Sequence, residues 1–178
     1  MRHTISVLVE NEFGVLARVA GLFSGRGFNI ESLCVAETLD PEVSAMTIVT
    51  TGSDAILEQI LKQLNKLVNV IKVTDFQGVE YVSREMVLVK VNASEKTREE
   101  VLRMVEIFRG RVVDVSTRSY VVEITGNEEK VKAFLALVRP LGVKELVRTG
   151  TVAILRGEKV MSVKVKESKG GRDGEDVL

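Results

Sequence analysis

Between Asn11 and Leu16 the chain reads Asn-Glu-Phe-Gly-Val-Leu, and residue types in that order can hold a small charged molecule. An alternating run ends just before it at Glu10, and an apolar pattern of helical spacing starts just after it. Gly14 therefore stands where a helix begins. The first N–H groups of a helix lack intrahelical partners, and the macrodipole draws negative charge toward them. Gly14 has no side chain to screen those groups, and Asn11 brings an amide that can donate and accept. The pair suits a carboxylate next to an ammonium, the head of an amino acid. A plainer reading stays open, with Asn11 as an N-cap and Gly14 as a flexible entry to the helix. A nucleotide fits worse, because the spacing is neither G-x-G-x-x-G nor G-x-x-x-x-G-K-[ST], and no Lys follows. Gly25 and Gly27 lie where that helix ends and the dipole repels phosphate, so they read as a C-cap and a turn.

Reactive groups elsewhere are scarce. The 178 residues include one Cys, Cys34, and one His, His3. Neither an intrachain disulfide nor a zinc site of His and Cys can be assembled from that stock. A Ser-His or Cys-His pair would have to use His3, which reads as a partly exposed residue at the start of a strand. Cys34 falls within an apolar strand and reads as a small buried hydrophobe. No residue is assigned a catalytic or metal-binding role. The 25 basic and 25 acidic residues cancel, so no global field gathers nucleic acid or an anionic membrane. With 4% aromatic residues and no Trp, stacking platforms for single strands are not expected either. No apolar run approaches ~18 residues, and the first residues enter a strand pattern with no signal-peptide architecture. A cytoplasmic protein that contacts neither membrane nor nucleic acid is expected.

The elements that position the Asn11–Leu16 loop follow from periodicity. Ile5, Val7 and Val9 alternate with polar residues in a half-buried strand. Val15, Leu16, Val19, Leu22 and Phe23 form a helical stripe. Two strands flank an Asp40-Pro41 turn. Ser53 and Asp54 can cap a second helix with Ile56, Leu57, Ile60, Leu61, Leu64 and Leu67 on one face, and "VNVIKVTDF" closes the unit. The order is βαββαβ, a split-βαβ unit of the ferredoxin-like kind.

The same order returns in the second half. "EMVLVKVNA" is a strand, a helix follows Ser94 with Val101, Leu102, Val105 and Phe108 inward, and "RVVDVST" and "SYVVEITG" are strands. "NEEKVKAFLALVR" is the second helix, and "GVKELVRTG" and "TVAILRG" supply the closing strand or strands. Phe-x-Gly-Arg occurs at 23–26 and 108–111, and Thr-Gly followed by a capping residue and an acid at 51–54 and 125–128. The first half carries eleven more residues between these landmarks, around "CVAETLDPEV". The expected fold class is α+β, two tandem ferredoxin-like domains at 1–76 and 85–157. Residues 77–84 read as a linker and 158–178 as a polar, flexible tail. Residues 1–76 hold six basic and nine acidic residues, and 77–156 hold fourteen and eleven. Opposite signs on the halves favour complementary docking, although charges of this size are usually solvated faces.

The segment "SVLVENEFGVLARVAGLFSGRGFNIESLCVA" resembles the ACT domain of the regulatory subunits of acetolactate synthase (acetohydroxyacid synthase). It has the strand, the short loop with Gly, the helix start and the Phe-Asn-Ile that opens the second strand. "REMVLVKV" and "EIFRGRVVDV" resemble the second domain of the same family, and the likeness runs from about Met1 to Met161. Phe13 stands where many ACT loops carry Pro. The resemblance implies a non-catalytic partner of a large catalytic subunit that carries thiamine diphosphate, Mg and FAD, with no cofactor in this chain. That enzyme condenses pyruvate with pyruvate or 2-oxobutyrate on the route to valine, leucine and isoleucine. The small subunit raises its activity and confers feedback inhibition, typically by valine. The resemblance further implies a homodimer through ACT domains with the effector between them. Asn11, Gly14, Val15 and Leu16 would come from one chain and Asn29 and Ile30 from the other. Val15, Leu16 and Ile30 would offer apolar surface to a branched side chain, and Asn29 a polar contact.

Two other readings belong beside this one. A stand-alone ACT-type amino-acid sensor acting on another partner, such as a transcription factor, would need a DNA-binding module or basic patch that the chain lacks. A small enzyme on a ferredoxin-like sheet could use Glu10 or Glu12 as general base, but no electrophilic or metal-binding partner accompanies them.

Overall fold

The computed structural model describes residues 1–161. The fold is α+β, with two βαββαβ units in tandem. The first holds β1 (Arg2–Glu10), α1 (Val15–Ser24), β2 (Ile30–Glu37), β3 (Val43–Thr51), α2 (Asp54–Leu64) and β4 (Val70–Asp75). The second holds β5 (Tyr81–Asn92), α3 (Arg98–Ile107), β6 (Arg111–Val115), β7 (Ser119–Gly126), α4 (Glu128–Gly142) and β8 (Val143–Arg148), and β9 (Val152–Leu155) follows. By contacts the chain divides into Met1–Val82 with the described residues from Ala153 onward, and Ser83–Val152. The segment 77–84 holds a turn, with Gly78 at φ 71°, and the first residues of β5. The flexible tail expected at 158–178 lies outside the described residues from 162 onward.

The first sheet has the order β2-β3-β1-β4, all pairs antiparallel, and the second has β6-β7-β5-β8, with β9 also paired to β5. The units match even in their irregularities. The register slips between Leu8 and Val9 and between Lys90 and Val91, and again near Ile30 and near Val112. Such bulges bend a strand at a fixed place.

Each unit has its own core. In the first, Ile5, Val7 and Val9 of β1 meet Val15, Val19, Leu22 and Phe23 of α1 and Leu57, Ile60 and Leu64 of α2. In the second, Val87, Val89 and Val91 meet Val101, Val105, Val131, Phe134 and Val138. Phe108 packs edge-on against Phe134, with ring centroids 5.4 Å apart.

The apolar stripes of α1 and α3 are each one residue narrower than their spacing predicts. Leu16 (45% exposed), in the first turn of α1, and Leu102 (44%), in the second turn of α3, face outward. Each follows a buried valine, Val15 or Val101, and so lies about 100° round the helix from the residue that enters the core, at the margin of the stripe. His3 is also a correction. It is 4% exposed rather than partly exposed, and its Nε2 lies 3.1 Å from the Gly52 carbonyl oxygen. Its strand runs through the middle of the sheet, so even the end is covered. Cys34 is half-buried, because β2 is an edge strand.

Candidate effector-binding site

The start of α1 is open. Gly14 is the N-cap residue in a left-handed conformation (φ 84°, ψ −6°), and no side chain caps the helix. A residue with a Cβ is strained in this region, whereas Gly enters it at no steric cost. Arg18 N–H donates to the Gly14 oxygen at 3.0 Å and Val15 N–H to the Glu12 oxygen at 3.3 Å. Among the described residues, the N–H groups of Leu16 and Ala17 have no hydrogen-bond partner. The first turn of α1 contains no acidic residue that would occupy the positive end of its dipole.

Asn11 is not the N-cap that the plainer reading allowed. Its side-chain Nδ2 donates to the Pro41 oxygen at 2.8 Å, and its backbone N–H to the Glu42 oxygen at 2.7 Å. The turn at 40–42 thus grips the loop from one side. That turn is shaped by Asp40, whose Oδ1 accepts from Glu42 N–H at 2.9 Å and whose carbonyl accepts from Val43 N–H. Among the described residues, the Oδ1 of Asn11 has no partner. On the other flank the Glu10 N–H donates to the Asn69 oxygen at 2.9 Å, and Asn69 Nδ2 donates to Glu10 at 2.6 Å and to Glu12 at 3.2 Å. Arg18 donates to the Asn69 Oδ1. Sequence reasoning missed Pro41, Glu42 and Asn69, and no local signal marks them. The bonds cross 30 residues in one case and 59 in another.

Of the apolar residues expected near a ligand side chain, Leu16 is exposed and Ile30 is half-buried against the core. Val15 is a correction. At 3% exposed it belongs to the core, so its side chain offers no apolar surface. Asn29 is exposed, and its carbonyl accepts from Thr50 Oγ1 at 2.7 Å.

Within one chain these residues do not meet. Ile30 is paired with Thr50, whereas Glu10, just ahead of the loop, is paired with Val43 at the other end of β3. At ~3.4 Å per residue that separation is roughly 24 Å. Asn11, Gly14 and Leu16 gather at one end of the sheet, and Asn29 and Ile30 stand at the other. Strand β2 forms an edge of the sheet, with Val35, Ala36 and Glu37 exposed.

Known proteins share this fold. Residues 5–72 match the family model described as the AHAS small subunit-like ACT domain, and residues 84–157 match that of the small subunit of acetolactate synthase. The chain belongs to the family of acetolactate synthase small subunits. It is 51% identical over 162 residues to the acetolactate synthase isozyme 3 small subunit of Escherichia coli, covering 90% of this chain and 99% of that one. A relative in Archaeoglobus fulgidus, named "Probable acetolactate synthase small subunit", is 54% identical over 159 residues, or 89% of this chain and 99% of the other. Among solved structures, the acetolactate synthase small subunit of Thermotoga maritima superposes with a TM-score of 0.81 at 43% identity, over 89% of this chain and 99% of that one. The first domain is an ACT domain, and the family's role is regulatory, in the making of branched-chain amino acids. A small subunit implies a large catalytic subunit as partner. Among the described residues no cluster of His, Cys, Asp and Glu could hold a metal, and no helix is long and apolar enough to cross a membrane.

Proposed function

We propose that this chain, itself without catalytic activity, activates the thiamine-diphosphate-dependent large subunit of acetolactate synthase in the cytoplasm. It also makes that enzyme sensitive to valine, bound where two ACT domains of a homodimer meet. The observation that carries the proposal is the open start of α1. Two N–H groups without partners, an αL glycine and an available amide oxygen on Asn11 together match the head of an amino acid. The carboxylate would take the N–H groups of Leu16 and Ala17, and the ammonium would face the Asn11 oxygen.

The free edge of β2 supports the second wall, because two such edges could pair antiparallel across a two-fold axis. Such pairing would set the start of one β2, with Asn29 and Ile30, beside the end of the sheet at which the other chain's α1 begins. Leu16 and Ile30 would then flank the branched side chain. Its burial contributes about 1.5–3 kcal/mol, and charge-assisted hydrogen bonds about 1.5–3 kcal/mol each. Once the cost of association is subtracted, affinity falls in the micromolar-to-millimolar range. A ligand shared by two chains favours one arrangement of the pair, and that differential affinity is what can be passed to a catalytic partner.

The test is reconstitution with the large subunit, with thiamine diphosphate, Mg and FAD supplied. Activity is expected to rise when this chain is added and to fall again with valine. A large subunit indifferent to the chain would end the proposal, and activation untouched by valine, leucine or isoleucine would remove its effector half. On this reading residues 1–76 sense the effector and 77–84 join them to the second domain at 85–157. A fragment ending at Phe76 is then expected to fold, dimerise and bind valine, whereas an unfolded fragment would refute that division.

A further inference from the structure

We propose that Asn69, in the turn after α2, is the positioning residue of the effector loop; the inference rests on the effector reading above. The loop at 11–14 has to present free N–H groups, so it cannot be stiffened by a cap on its own helix. Its restraint has to come from outside. On one flank that is the turn at 40–42, and on the other it is one half-buried asparagine. Asn69 touches the chain before, within and after the loop. Its carbonyl oxygen accepts the Glu10 N–H, its Nδ2 donates to the carboxylates of Glu10 and Glu12, and its Oδ1 accepts from Arg18 one turn into α1.

Electrostatics gives the contact its purpose. Glu10 and Glu12 are two negative groups beside a helix start that has to accept a carboxylate. Left loose they would repel the incoming anion and compete for the same N–H groups. The Asn69 amide gathers both on the side of the α2–β4 turn and ties them to the Arg18 guanidinium through its other end. Only an uncharged group with a donor and an acceptor fits between two carboxylates and a cation. Asp would keep the bond from Arg18 but lose the donor and add a third negative charge.

Calorimetry with L-valine on the full chain, alongside thermal melting, tests the assignment. Asn69→Ala is expected to weaken valine binding about tenfold while Tm stays within a few degrees, and Asn69→Asp to weaken it further. Glu10→Gln added to Asn69→Asp reverses donor and acceptor, and should recover part of the lost affinity, which a purely structural role for Asn69 would not produce. Arg18→Gln, at an exposed position that leaves folding intact, should weaken binding about threefold. If Asn69→Ala binds valine as the wild type does, or the reversed pair recovers nothing, the inference is overturned while the effector reading stands. A wild-type chain that binds no branched-chain amino acid overturns both.

Discussion

The two halves of this chain solve the same topological problem and differ most at one junction. In the first half β1 leads into α1 through Asn11, Glu12, Phe13 and Gly14, and in the second β5 leads into α3 through a longer segment, 93–97. At the equivalent backbone contact, Asn11 N–H donates to the Glu42 oxygen and Ala93 N–H to the Arg118 oxygen. Asn11 is exposed and carries an amide, whereas Ala93 is fully buried. Helix α3 has Glu99 and Glu100 in its first turn, answering its own dipole. Helix α1 has no acid there and starts at an αL glycine. The second helices do not differ in this way. Ser53 caps α2 through Ile56 N–H, and Asn127 caps α4 through Lys130 N–H. The duplicated frame thus keeps a side-chain cap on the second helix of each copy, whereas α1 and α3 both lack one, and α1 is set apart by its αL glycine and by the absence of an acid in its first turn.

The extra residues of the first half serve that same junction. Strand β2 has eight residues where β6 has five, and the turn beyond β2 supplies the Pro41 and Glu42 oxygens that hold Asn11. The second half invests its polar contacts in stability instead. Glu85 is 5% exposed and takes two bonds of 2.6 Å from Arg148. Those bonds raise the Arg148 pKa above its usual range.

Five substitutions sharpen or break this comparison. Gly14→Asp should have the largest effect, a loss of valine affinity of at least about 100-fold by calorimetry, because it puts a negative charge where two charge-assisted bonds form. A Cβ at Gly14 meets nothing within 4 Å. The cost to folding is therefore the αL strain, roughly 1 kcal/mol. Wild-type affinity in this variant would erase the functional difference between the junctions. Arg148→Ala should follow. It leaves a buried carboxylate unpaired and is expected to cost about 2–3 kcal/mol in urea unfolding, less than a fully buried pair because Arg148 is partly exposed. Valine binding should not change, and if it does, the second half is not purely structural.

Ser53→Ala and Asn127→Ala should each cost about 1 kcal/mol. Nearly equal losses are the expected mark of equivalent caps, and a large inequality in urea midpoints would break the equivalence. The smallest effect belongs to Glu58, whose carboxyl the Lys62 ammonium holds below its ordinary value by a hydrogen bond of 2.6 Å. A lowered folded pKa stabilises above the unfolded value and is lost as pH falls through the lowered one. Glu58→Gln should therefore flatten the acid limb of the Tm–pH curve slightly and leave Tm at neutral pH almost unchanged. A marked drop there would mean that this exposed pair matters more than its helix-surface setting allows.

Much of the frame was legible in the residues. Period-2 and period-3.6 patterns gave the βαββαβ order twice, because each is set by which face of an element meets a core. Ser53 and Asn127 were readable as caps, since capping joins neighbours three residues apart. Leu16 and Leu102 were not readable as outward-facing, because each lies at the margin of an apolar stripe, and which margin is covered depends on what packs against the helix. Val15 looked like ligand surface, but it is the residue by which α1 enters the core.

By itself the sequence determined the elements, their duplication and the chemistry of an open helix start. Those are local matters, settled by spacing, by the absence of a side chain at Gly14 and by the lack of an acid after it. Only the tertiary structure decided that Asn11 is held by the 40–42 turn, that Asn69 spans the loop, and that Asn29 and Ile30 stand at the far end of the sheet from Gly14. The physical reason is strand order. Which loops share an end of a sheet is fixed by the path of the whole chain, and no pattern of nearest neighbours encodes it.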